Sequence, residues 1–428
     1  MKKGFFLFFL ILAVSCSNPL QEQPTPEPEI SKPKEQGEVI EKTIINPAIS
    51  IILQPHTIAI LYQNNSFAID FFKAVSQQHD NNLFLSPFSL SAVLGMLYNG
   101  AAGTTQEEIA KVLRMSDYTP DEVNQYYLKL TKALLEVDPN TSLSLANAIW
   151  SNKGVTLKNP FVVLNQDYYD AEVSTLDFSL PSALNTINDW CNDKTKGTIP
   201  KILEEIDPST LVILANAIYF KSFWVNDFDK TKTVDKPFHN IDGTTSIVPM
   251  MHLRELELKY AQMNRCGMVS LPYANTAFAM NLILPLQGED IDDLIEDLDA
   301  TAWQMMTATS TKTKVTLSMP RFKIENTLED LRSILVDMGM PSAFLESADF
   351  SNMLNINAFI SRVIQKSYIS VDEDGTEAAA VTLANTVTSI VPGPSPKEVT
   401  MVLDRPFIFA ITEQSTGIIL FMGKVVKL

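Results

Sequence analysis

The chain has 428 residues, 46% of them hydrophobic, which is enough for a large core. Thirty-three Lys and Arg stand against 50 Asp and Glu, a formal net charge of −17, and phosphate binding needs clustered cations, so a nucleic-acid partner is disfavoured. The three cysteines form no Cys-x-x-Cys pair and the four histidines are scattered, so neither a disulfide framework nor a metal site is indicated and no cofactor is expected.

Met1-Lys2-Lys3 precedes a short apolar run, Gly4 to Val14, too short to span a bilayer. Residues 1–15 read as a signal peptide. Leu12-Ala13-Val14-Ser15-Cys16 resembles a bacterial lipoprotein box, with Ala13 where leucine is usual. Cleavage before Cys16 and its lipidation would hold an exported protein in the bacterial cell envelope, on the surface or in the periplasm. The alternative is an ordinary secretory signal, with Cys16 incidental and the protein secreted. Residues 16–57 carry the anchor and a Pro- and Glu-rich disordered tether, and the folded domain is taken as 58–428.

Helical periodicity begins near Ile58, and Phe67, Phe71 and Phe72 share one face. In Asn82-Leu83-Phe84-Leu85-Ser86-Pro87-Phe88-Ser89 a short strand enters a helix, with Ser86 as N-cap and Pro87 at the first helical position. Gly100 to Gly103 stops that helix, and Thr105 with Glu108 has the spacing of a capping box for the next. Ser142 to Trp150 reads as a strand and Leu180 to Asn192 as a helix. Leu211 to Phe220 is an almost unbroken apolar run, expected to be a central strand buried on both faces. Further strands are expected at 269–271, 279–284, 314–323, 363–371, 407–412 and 417–426, and helices at 291–298 and 328–338. The pattern is α+β, with helices concentrated in the N-terminal third and strands in the C-terminal half.

The stretch from Asp372 to Val391 has no proline, and after Gly375 no glycine, before Pro392-Gly393-Pro394. Its small and β-branched residues suit a strand. Thr376, Ala378, Ala380, Thr382, Ala384 and Thr386 would share one uniformly small face, which fits a narrow slot. A surface linker or an edge strand is the plain alternative. No Gly-x-Ser-x-Gly elbow and no His-Glu-x-x-His helix occurs, so no enzyme chemistry is signalled.

Several segments together resemble the serpins. Asn82 to Ser89, Leu214 to Lys221 with Trp224, Trp190 to Leu203, Val248 to Met251, Leu317 to Phe322, Asp404 to Phe409 and Gly417 to Gly423 match that family's segments in order. The resemblance implies the serpin fold: helices around a large central mixed sheet, smaller sheets and an exposed reactive-centre loop. It implies that the opening residues of the loop, Glu373, Gly375, Thr376, Ala378, Ala379 and Ala380, are the hinge, in the small-residue pattern of inhibitory members. It places the scissile bond at Ser389-Ile390, by the usual loop length. Ser86, Ser89 and Asn216 match the polar shutter beneath the sheet, and Trp224 matches the breach. Two departures stand out: Gln365 where histidine is common, and Ser222 where glycine is common.

The implied function is suicide inhibition of serine proteases, in which the cut loop enters the sheet and traps the acyl-enzyme. Val387-Thr388-Ser389 offers no cation and no aromatic ring, which points to elastase- or subtilisin-like targets, with cysteine proteases secondary. The expected state is a monomer, and the alternative is a non-inhibitory serpin acting as a binding module.

Overall fold

Phe67, Phe71 and Phe72 are all fully buried on one face of the 22-residue helix α1 (Pro55–Ser76), as their spacing predicts. The computed structural model describes residues 47–376 and 398–428. The other helices among them are α2 (Pro87–Gly100), α3 (Gly103–Val112), α4 (Pro120–Glu136), α5 (Asn159–Tyr169), α6 (Pro181–Lys194), α7 (Ile291–Asp297), α8 (Ala300–Thr309) and α9 (Arg332–Met338). The strands are β1 (Leu83–Leu85), β2 (Ser142–Asn152), β3 (Ala171–Leu176), β4 (Val212–Phe223), β5 (Val234–His239), β6 (Thr245–Gln262), β7 (Cys266–Pro272), β8 (Phe278–Pro285), β9 (Thr311–Pro320), β10 (Phe322–Leu328), β11 (Gln365–Val371), β12 (Gly375–Thr376), β13 (Glu398–Val402), β14 (Phe407–Glu413) and β15 (Ile419–Val425).

Two mixed sheets result. A nine-stranded sheet runs β1-β15-β14-β8-β7-β6-β9-β13, with β5 paired to β6. A six-stranded sheet runs β10-β11-β12-β4-β2-β3. Aromatic rings fill the space between them. Phe220 of β4 meets Tyr273, Phe278 and Phe421 edge-on at 5.2, 5.6 and 6.2 Å between centroids. The helix α2 is buried almost all round, so it is a core element under the six-stranded sheet rather than an amphipathic surface helix. Across the sheet lies α6, whose Trp190 packs edge-on against Trp150 of β2 at 5.2 Å.

Some expectations change. Ser86 does cap α2, accepting from Ser89 N at 3.3 Å, and Pro87 is its first residue. Thr105 and Glu108 form no capping box. Thr105 Oγ1 accepts from Asp349 N, and Glu108 binds Ser342, so tertiary partners have claimed both side chains. A capping box does occur at Thr119 and Glu122, ahead of α4. The run 314–323 is two strands in different sheets, because Pro320 lacks a donor and Arg321 N turns to Pro249 O at 2.9 Å. The helix expected from 328 starts at Arg332, since Leu328 still belongs to β10. Ahead of α1, Ala48, Ile51 and Leu53 already pack on the core, and Ile51 N donates to Ser415 Oγ.

Candidate functional site

The site is the seam between β4 and β11. At its top sits β12, two residues long, with Gly375 opposite Phe223 and Thr376 opposite both Ser222 and Val371. Gly375 has φ +153°, and a Cβ there would stand 2.2 Å from Ser222 O and 2.6 Å from Phe223 Cα. Only glycine lets the chain pass so close to β4. Thr376 is buried, and its hydroxyl lies 2.6 Å from Tyr273 Oη.

Charge and aromatic stacking hold the approach to β12. Glu373 is 1% exposed and receives Arg321 through Nη2 at 2.6 Å and Nε at 2.8 and 2.9 Å, with Thr233 Oγ1 donating as well. Burial alone would raise the Glu373 carboxyl, but the Arg321 and Thr233 hydrogen bonds outweigh it and hold it below the ordinary range. Asp374 pairs with Lys230 at 2.6 Å, a contact that raises the lysine. Asp372 is pushed up, chiefly by burial. Trp224, fully buried, stacks on Tyr273 at 4.3 Å and donates from Nε1 to Asp372 O at 2.9 Å and from its backbone N to Asp374 O at 2.9 Å.

Below β12 no ladder joins β4 to β11 among the described residues. A cavity of about 630 Å³ separates them instead, lined by Val212 to Ile218 of β4, by Ile187 and Cys191 of α6, and by Ile360 to Lys366. This explains why β4 is not buried on both faces: Val212, Ile213, Leu214, Asn216 and Ile218 are half-exposed to the cavity. Burial raises the Cys191 thiol to about 12 and that of Cys266 to about 11, and both cysteines are free.

At mid-height the first turn of α2 bridges the seam. Gln365 Nε2 donates to Ser86 O at 2.9 Å, and its Oε1 accepts from Ser86 N at 3.3 Å. Ser86 Oγ donates to Leu420 O at 3.0 Å. Ser89 Oγ donates to Asn216 Oδ1, Asn216 Nδ2 to Asn147 Oδ1 at 2.8 Å, and Asn147 Nδ2 to Tyr169 O at 2.7 Å. The network therefore runs from β11 through α2 to β4, β2 and the end of α5.

The profile of the family described as Serpin (serine protease inhibitor) matches residues 62–428. This chain is a serpin. It is 33% identical over 423 residues to an uncharacterized serpin-like protein of Thermococcus kodakarensis, covering 98% of this chain and 96% of that one. It is 32% identical over 376 residues to the leukocyte elastase inhibitor of Homo sapiens, covering 84% and 97%. Among solved structures it resembles the thermophilic serpin tengpin in its native state, with a TM-score of 0.80 and 31% identity over 91% of this chain and 98% of that one. It also resembles thyroxine-binding globulin in complex with thyroxine, with a TM-score of 0.76 and 30% identity over 86% and 99%.

Within this serpin the structure brings Glu373, Gly375, Thr376 and Trp224 together at the top of the seam, and Ser86, Ser89, Asn216 and Gln365 at its middle. Ala378, Ala379, Ala380, Ser389, Ile390 and Cys16 lie outside the described residues. Gln365 does more than stand in for a histidine. Its amide presents donor and acceptor side by side and clamps both backbone groups of Ser86, whereas the two nitrogens of an imidazole point apart. Sequence reasoning missed Arg321, Thr233 and Lys230, the partners of the acidic run. Arg321 lies 52 residues from Glu373, and only an unpaired acid beside a glycine hinge could have suggested a distant cation.

Proposed function

We propose that this serpin inhibits serine proteases of elastase or subtilisin type by loop cleavage and loop insertion. The observation that carries this is β12: the first residues of the small-residue run already sit between β4 and β11, at the head of a cavity that continues below them. In the reaction the protease serine attacks the carbonyl of Ser389. The peptide bond to Ile390 breaks, Ile390 leaves as an amine, and an ester joins the protease to the loop. Continued six residues beyond Thr376, that register would set Thr382 opposite Asn216 and Gln365, so insertion would pass through the shutter. Roughly a dozen residues would gain ladder bonds at about 0.5–1.5 kcal/mol each. The protease is carried away with its ester intact, because an ångström of misplacement costs about a hundredfold in rate.

Ser389, flanked by small and β-branched residues, supports shallow-pocketed targets, as does the likeness to leukocyte elastase inhibitor. The same reading makes the protein an exported, bacterial-lipoprotein-type monomer anchored through Cys16, with the Pro- and Glu-rich stretch after Cys16, ending ahead of Ala48, as its tether and cysteine proteases as secondary targets. The test is incubation with an elastase, a subtilisin and a trypsin, read by SDS-stable complex and by the mass of the released C-terminal fragment. The expected result is a complex with the first two and a fragment beginning at Ile390.

The likeness to thyroxine-binding globulin favours a second reading, a binding module without inhibition. Thr376→Arg separates the two. Thr376 is 2% exposed, so arginine there cannot enter the sheet without burying a charge. An inhibitor becomes a substrate; in a binding module β12 is displaced as well, but no SDS-stable complex forms with or without the substitution.

A further inference from the structure

The two residues of β4 that receive β12 lie beyond the end of β2. The β2–β4 ladder stops at Ser142 opposite Lys221, and β12 pairs with the next two residues, Ser222 and Phe223. Backbone bonds hold the far end of this overhang, from Ala274 N to Phe223 O at 2.9 Å and through the Trp224–Tyr273 bridge, but on the β2 side a strand end past its neighbour's last ladder pair frays more readily than the ladder interior. Here a side chain continues the ladder. Ser222 is fully buried, and its hydroxyl lies 2.7 Å from that of Thr141, the residue next in register on the β2 side. Thr141 Oγ1 donates to Asp138 Oδ2 at 2.6 Å, so its one hydrogen is committed and Ser222 is the donor to it. Asp138 is itself buried. Its Oδ1 accepts from Asn140 N at 2.9 Å and Asn140 Nδ2 at 3.3 Å, and its carbonyl from Thr141 N at 3.3 Å. The carboxylate thus fixes the tight turn between α4 and β2, and the turn reaches the overhang through two hydroxyls. The carbonyl of the same Ser222 is the atom that admits only glycine at position 375.

We infer that Ser222, Thr141 and Asp138 form a splint that holds the overhang of β4 as the template on which the loop hinge docks, so that Ser222 and Thr141 are positioning residues for loop insertion. The part that concerns insertion rests on the inhibitory reading above. A glycine at 222 would leave the overhang without this tie. The splint lies within the β4–β2 half of the sheet, so it does not resist opening of the seam. It keeps straight the edge along which the next pair forms.

Thr141→Val removes the hydroxyl at nearly constant volume, and Thr141→Ser keeps it. Hydrogen exchange is followed in peptides covering 219–226 and 370–376, with 143–150 as the internal reference. The Val variant is expected to exchange about five- to tenfold faster in the first two and unchanged in the third, the size expected for one lost hydrogen bond. The Ser variant matches wild type. Against an elastase-type protease the Val variant is expected to need about threefold more inhibitor per trapped enzyme, because slower insertion lets more acyl-enzyme hydrolyse. Unchanged exchange in the Val variant overturns the splint. Faster exchange with unchanged stoichiometry overturns its part in insertion. If wild type traps no protease, the inhibitory reading fails and the exchange result alone decides the splint.

Discussion

Replacing Arg321 by methionine probes how the approach to β12 is held. Glu373 is 1% exposed and Arg321 44% exposed, so the pair is buried on one side and wet on the other. Removing one partner of a fully buried pair costs about 3–5 kcal/mol, mostly from the charge left behind. Solvent at Arg321 discounts this, and Thr233 still donates to the carboxylate, so about 2 kcal/mol is the working figure. Glu373→Gln keeps an acceptor for Arg321 and loses only the charge assistance, about 1 kcal/mol. The double variant should cost less than the two together, since the orphan charge is gone.

On the inhibitory reading the native state is held by a barrier, so the assay is a rate. Unfolding in guanidinium, followed by tryptophan fluorescence, should run about 30-fold faster in Arg321→Met if the pair is already broken at the transition state. A rate within about twofold of wild type would refute the reasoning. The pair also sets an acid limit. The folded Glu373 carboxyl lies below its unfolded value of about 4.3, so its contribution is fully present above that pH and is lost as pH falls through the lower folded value. Wild type should therefore unfold faster below about pH 4, and Glu373→Gln should flatten that part of the profile.

Gly375→Ala would push a Cβ to 2.2 Å from Ser222 O, so β12 must leave the seam or β4 must move by about an ångström. The expected outcome is mostly cleaved product and little SDS-stable complex, while β10–β11 and β2–β4 keep their exchange protection. Gln365→Leu removes both clamps on Ser86 and leaves its backbone N–H unmatched, while its carbonyl keeps Leu90 N at 3.2 Å, so unfolding in guanidinium should speed up by the equivalent of about 2 kcal/mol. Gln365→His recovers one contact at most and should fall between Leu and wild type in the same unfolding-rate assay.

Much of this architecture was legible because it is local. Ser86-Pro87 announced the start of α2, and of the strand expected from Gly375 onward the described residues hold the first two, as β12. What could not be read depends on partners far along the chain. The 18-residue β6 breaks its alternation at an irregularity between Leu253 and Leu256, where Glu255 takes φ +54°, so no single period covers it. The apolar run of β4 looked like a strand buried between layers, but half of it faces a cavity, and hydrophobicity alone cannot tell a packed neighbour from a vacant one. Ser222 departs from the glycine common in the family, and its partner, the Thr141 hydroxyl, lies 81 residues away in the chain.

The two polar ties across the seam are unequal. On the β11 side, Gln365 makes two hydrogen bonds to the Ser86 backbone, and Ser86 is further fixed as the cap of α2 and by its bond to Leu420 O. On the β4 side, a single hydroxyl, Ser89, reaches Asn216. Both serines lie within one turn of the same helix, and that helix is buried almost all round, so the helix itself is the fixed point. For the seam to widen, the contact with fewer bonds gives way first, which is the one to Asn216. The unit that moves is then β4 with β2 and β3, joined by their own ladders, while β11 and β10 stay with the core. At the middle of the seam, opening is on this account a slide of three strands against one serine, while the top of β4 stays tied through Trp224 to Asp372 O and Asp374 O and through Phe223 O to Ala274 N.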